Sequence, residues 1–171
     1  MTENEHTSTT PTASENRQID SLVEQVITTV SSWPAVVVGK GQFNSTTFQI
    51  GQPDEARRQS EIGHVHQHPW GLVDISYPQS LREQLLVEGH TEKHHVVPER
   101  ATTFALESED DIEQAVFLLR LSYLYHVSSL DRETDTDEQV EIMDLDVAAE
   151  ISKLQLSDEL HTVVTGLISV E

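Results

Sequence analysis

No cysteine occurs among the 171 residues, so neither a disulfide nor a thiolate metal site is available. Lysine is nearly missing too: Lys40, Lys93 and Lys153 are the whole set. Against 10 Lys plus Arg stand 30 Asp plus Glu, a net charge of −20. No basic stripe exists to track a phosphate backbone, which argues against a nucleic-acid partner. No apolar run approaches the roughly 20 residues that cross a bilayer, and no apolar segment of a secretory signal is visible near Met1. A cytoplasmic protein, with no membrane partner, is the expectation. Aromatic residues make up only 5 % of the chain, so its core must be mainly aliphatic.

The acidity has two readings. It suits a basic partner, or it suits a surface made for high salt, where ions screen the repulsion between carboxylates. The excess runs from Glu3 to Glu171 and is not confined to one patch. That spread favours the halophilic reading, in which the charge reports habitat.

The length fits one domain with a proper core. Residues 1–17 are polar and read as a disordered tail. Ile19, Leu22, Val23, Val26, Ile27 and Val30 then repeat at helical spacing. Short β-branched runs at 35–40 and 46–50, a histidine-bearing run at 61–67 and the alternating stretch 72–77 predict an antiparallel meander. Pro78 opens a second helix, 90–100 reads as a loop, and 102–106 as a fifth strand. An apolar helix follows to about residue 128. Residues 129–145 read as an acidic linker, and 146–171 as a helical extension that packs back or meets a partner. The expected fold is therefore α+β: a domain over 18–128 with a single antiparallel sheet of about five strands, helices on one face, and a C-terminal helical extension.

Six of the nine histidines fall between positions 64 and 95. His64, His66 and His68 alternate, so a strand puts them on one face about 6.6 to 6.8 Å apart. His68 adjoins Pro69 and belongs to the turn. His90, His94 and His95 form a second group, with His94 or His95 placed to join His64 and His66. Imidazoles so arranged serve as acid and base near neutral pH. Two of them with Asp74 would also suit zinc or non-haem iron. The plain alternative is a set of half-exposed histidines bonded to neighbours, and for His90 that reading stands. A bound metal is the less favoured reading, so no cofactor is expected. Asp74, Trp70 and Glu61 complete the ligand-contacting set. In a regular strand Glu61 points away from His64, which also allows an ion pair with Arg57, Arg58 or Arg100.

The run Ser60-Glu61-Ile62-Gly63-His64-Val65-His66, then Gly71-Leu72-Val73-Asp74-Ile75-Ser76-Tyr77-Pro78, Glu88-Gly89, His94-His95-Val96-Val97-Pro98, Thr103-Phe104, Glu109-Asp110-Asp111 and Leu118-Leu119-Arg120-Leu121-Ser122-Tyr123 resembles, as a set, the luciferase-domain family. The likeness spans roughly 20–127. The family includes fungal luciferases, which oxygenate a small phenolic pyrone with molecular oxygen and without metal or organic cofactor. The resemblance implies that His64, His66 and one of His94 and His95 are the family's site histidines. Two departures limit it. Glu99-Arg100-Ala101-Thr102 stands where many relatives carry Asp-Ser-Gly-Trp, and Asp74 is a feature of the prokaryotic relatives and not of the fungal enzymes. Light emission and the fungal substrate are therefore not implied. The leading expectation is a cofactor-independent, oxygenase-like enzyme on a small molecule, with His64, His66, His94 and His95 as the catalytic candidates. A non-catalytic ligand-binding or interaction module and a metal-dependent hydrolase are the alternatives.

Overall fold

A computed structural model describes residues 10–51, 61–129 and 145–168. Most of the expected acidic linker, and the first nine residues of the expected tail, lie outside these. Helix α1 spans Ala13–Ser31. It begins inside the stretch read as tail because a capping box sets its start. The Thr12 hydroxyl accepts the Glu15 N–H, and the Glu15 carboxylate accepts the Thr12 N–H. Its stripe buries Leu22, Val23, Val26 and Val30.

The strands β1 (Val36–Lys40), β2 (Ser45–Ile50), β3 (Glu61–His66) and β4 (Leu72–Ser76) form the meander. Helix α2 (Gln79–Val87) leads to β5 (Glu92–Lys93) and β6 (Ala101–Ala105). All pairs are antiparallel, in the order β1-β2-β3-β4-β6-β5. The sheet thus has six strands where five were expected. β5 is two charged residues at an edge, too short and too polar to show a period. It nonetheless pins the start of the His94 loop against Thr102 and Thr103.

Helix α3 (Asp110–Ser128) is the spine of the core, with α1 on one side and α4 (Val147–Ser152) and α5 (Asp158–Ile168) on the other. It buries Ala115, Leu118, Leu119, Leu121, Tyr123 and Leu124. Ile151, Leu160 and Val164 of the last two helices enter the same core, so these helices pack back on the domain. On the sheet, Phe48, Val65, Val73 and Ile75 face this layer. Alternation sends His64, His66 and Asp74 to the opposite face.

One irregularity matters for that face. Phe48 pairs with Gly63, but its neighbour Gln49 pairs with Glu61, so Ile62 is an extra residue, a bulge in β3. The bulge has two supports on α3. Ser122 Oγ donates to the Ile62 carbonyl at 2.6 Å. Gly63 lies so close that a Cβ would sit 2.9 Å from Leu119 Cδ2 and 3.0 Å from the Asp74 carbonyl oxygen. Ser122→Ala strands a buried carbonyl, which costs about 1–3 kcal/mol. Urea unfolding of the variant checks this, and an unchanged midpoint would show that Ser122 does not hold the bulge.

Candidate active site

Asp74 sits in β4, an inner strand, and is 4 % exposed. Three imidazoles meet at one of its oxygens. Oδ2 lies 3.0 Å from His66 Nε2, 3.3 Å from His94 Nε2 and 3.5 Å from His64 Nε2. His64 and His66 arrive from β3, with His64 directly opposite Asp74 in the pairing register. His94 arrives from just beyond β5. The His64 and His66 rings stand edge to face, 5.0 Å apart.

The far nitrogens fix the tautomers. His66 Nδ1 is 3.1 Å from the Phe43 carbonyl, which can only accept, so Nδ1 carries a proton. His64 Nδ1 donates to Glu61 Oε1 at 2.7 Å. His94 is the reverse case. Its Nδ1 accepts the backbone N–H groups of Val96 and Val97, each at 3.1 Å, so the proton sits on Nε2 and points to Asp74.

Burial alone would lower the pKa of His64. The hydrogen bonds to Asp74 and Glu61 and the charges of both carboxylates outweigh it and raise the value to about 9. Burial alone would raise Asp74, and the His64 hydrogen bond, Thr103 and the charges of His64 and His94 bring it down to about 2. Thr103 is the register partner of Asp74 across β4 and β6. Its hydroxyl and Asp74 Oδ1 are both buried without a partner in hydrogen-bonding geometry, so Thr103 acts on the carboxylate as a nearby dipole and not as a formed bond.

Of the residues expected at the site, His64, His66, His94 and Asp74 are brought together, while His95 is exposed and makes none of these contacts. His68 stays in the turn and pairs with Asp20, 2.6 Å away. His90 bonds Glu88 and packs its ring on Phe117. Glu61 differs from the regular-strand expectation: the bulge at Ile62 changes the alternation, so Glu61 shares the face of His64 and bonds it. Trp70 is half exposed and stands edge-on to the His66 ring at 6.0 Å. Three contributors were not foreseen: the Phe43 carbonyl, the Val96 and Val97 amides, and Thr103. The first two are backbone groups with no residue-type signature.

Around the cluster are exposed apolar side chains. Phe43, Trp70 and Val96 are 74 %, 50 % and 81 % exposed, and each belongs to a residue that touches a site histidine. Two surface hollows lie beside the cluster and are not lined by its histidines. One, of about 400 Å³, is bordered by Trp70, Ile19 and Leu106; the other, of about 300 Å³, by Arg82, Lys93 and Pro98.

A buried carboxylate ringed by imidazoles on one face of an α+β sheet has the groups to exchange a proton or to ligate an ion. Residues 59–122 match the family model of the luciferase domain, which supports the luciferase-domain family for this stretch. The match contains Glu61, His64, His66, Trp70, Asp74 and His94, while α1, β1, β2 and the C-terminal helices lie outside it. No curated protein and no solved structure matches the chain.

The His64–Asp74 pair gives stability a pH window. A raised histidine stabilises fully below 6.5 and loses that contribution as pH rises through about 9. A lowered aspartate stabilises above 3.8 and loses it as pH falls through about 2. Both describe one interaction, so it is complete between roughly pH 4 and 6.5. The melting temperature, measured with chelator present, should fall from pH 6.5 to 9 more steeply in the wild type than in Asp74→Asn. Parallel profiles would contradict the pairing.

Proposed function

We propose that the chain is a small-molecule enzyme whose reaction runs where His64, His66 and His94 converge on Asp74. That convergence is the observation that carries the reading. Among the described residues the ionisable groups facing this buried carboxylate are imidazoles alone, which take up and release protons near neutral pH where a lysine or arginine would stay charged. The nitrogens offer complementary functions. His94 Nε2–H is a fixed donor, and His64 and His66 present Nε2 toward the same point. Together they can bind a substrate oxygen and pass a proton to or from it. Phe43, Trp70 and Val96 supply an apolar rim, which suits a substrate with an apolar or aromatic body and one oxygen function.

The luciferase-domain match supports an oxygenase-like reaction as the class. A partner-recruiting role for the C-terminal helices has less support, because Ile151, Leu160 and Val164 already bury their apolar faces in the core. Oxygen uptake and product formation with a panel of phenols and hydroxypyrones test the proposal. His66→Ala and Asp74→Asn should each lower the rate about 10²- to 10⁴-fold, the range for a positioned proton-transfer group. Trp70→Ala should raise KM more than it lowers kcat. Turnover indifferent to His66 and Asp74 would place the chemistry elsewhere.

The setting we propose is cytoplasmic and of high salt, supported by the net charge of −20 spread along the chain. The melting temperature should climb between 0.1 and 2 M KCl, as the screening length shrinks from about 10 Å to under 3 Å. A flat profile would return the acidity to the basic-partner reading.

A further inference from the structure

We propose that His64 Nε2, His66 Nε2 and Asp74 Oδ2 form a three-point seat for one divalent transition-metal ion of the Zn²⁺ or Fe²⁺ type. The three atoms lie within 4.8 Å of one another. The spacing is that of neighbouring ligands. With bonds of about 2.1 Å, adjacent donors stand about 3.0 Å apart in an octahedron and about 3.4 Å apart in a tetrahedron. The two nitrogen–oxygen separations here are 3.0 and 3.5 Å.

The far side of each ring makes the lone pair available. Glu61 takes the Nδ1 proton of His64, and the Phe43 carbonyl takes that of His66. An ion bound here takes the place of the proton that His64 Nε2 otherwise shares with Asp74, and each ring then directs its Nε2 lone pair at the ion. A bare nitrogen and a carboxylate oxygen repel at 3 Å unless a proton or a metal ion lies between them. A carboxylate or carbonyl behind the ligating imidazole is also the arrangement that orients histidine ligands and raises their basicity.

His94 is excluded from the ligand set by the same reasoning. Its Nδ1 is occupied by two amide donors, so Nε2 keeps its proton and supports the carboxylate from outside. Two nitrogens and one oxygen suit zinc or non-haem iron better than magnesium or calcium, which favour all-oxygen sets. Three protein ligands leave positions for substrate or water. The His64 side chain is 31 % exposed, so those positions are reachable. The inference departs from the cofactor-free expectation. It rests on the reading of this cluster as the working centre, yet it is read by ion affinity alone. A chain that binds the ion and turns nothing over sinks the functional proposal and leaves this one standing.

The test uses the full chain without a histidine tag, stripped with EDTA and dialysed. Zn²⁺ titration by calorimetry should give one ion per chain, and Co²⁺ should develop a visible ligand-field band. His66→Gln should weaken Zn²⁺ at least 10-fold, and Glu61→Gln, which touches no ligand atom, by about 10- to 100-fold. His94→Gln and the exposed His95→Ala should stay within a few-fold of wild type. Zn²⁺, but not Mg²⁺, should raise the melting temperature, and His66→Gln should lose that rise. The idea is overturned if wild type binds Zn²⁺ no more tightly than His66→Gln. It is equally overturned if His94→Gln loses as much affinity as His66→Gln, which would make the cluster a loose histidine patch.

Discussion

A carboxylate in an inner strand, 4 % exposed, is the constraint around which the rest of this structure is arranged. Burying a charge is tolerable only if it is paired or coordinated. Among the described residues Asp74 has no lysine or arginine in reach, and its partners are three histidines. Histidine differs from lysine and arginine in that it can answer a carboxylate as a cation, as a neutral donor, or jointly with it as a metal ligand. The sheet therefore places its most expensive group beside the one residue type that leaves several chemistries open. A lysine there would satisfy Asp74 and end its availability.

The positions of those histidines depend on distant packing. His64 and His66 are set by β3, and β3 is set by the bulge at Ile62. The bulge in turn rests on α3, through the Ser122 hydroxyl and the close approach of Gly63 to Leu119. Glu61 reaches His64 only because of that extra residue. So a buried serine among the leucines of α3 controls, through one carbonyl, which face a glutamate occupies on the other side of the sheet. The core layer and the site are two sides of one strand and cannot be varied independently.

Much of this was legible in the residues. The helical stripe in α1, the meander and the apolar helix α3 follow from periodicity, and the crowding of histidines between 64 and 95 singles out the stretch whose His64, His66 and His94 converge on Asp74. The choice between His94 and His95 was not legible. Neighbours in a loop are separated by backbone turns, and the Val96 and Val97 amides that hold His94 carry no sequence signature. The two-residue strand β5 was hidden because Glu92 and Lys93 are too few to show a period. Glu61 was misplaced for a single reason. Strict alternation is a property of regular strands, and one inserted residue reverses it.

The Phe43 turn adds a last element. Phe43 and Asn44 both hold positive φ, 53° and 52°; asparagine adopts this region readily, whereas a phenylalanine there costs roughly 1–2 kcal/mol. That conformation aims the Phe43 carbonyl at His66 and leaves its ring 74 % exposed. A turn built only for stability would place glycine at the first of these positions and would not display a phenyl ring to water. Strain and exposure combined at one residue, directly behind a site imidazole, make sense if the turn does two jobs. Its backbone fixes which nitrogen of His66 is bare, and its side chain adds exposed apolar surface at the turn that carries that contact. The tautomer of His66 is then set by a residue that lies outside the stretch matching the luciferase domain.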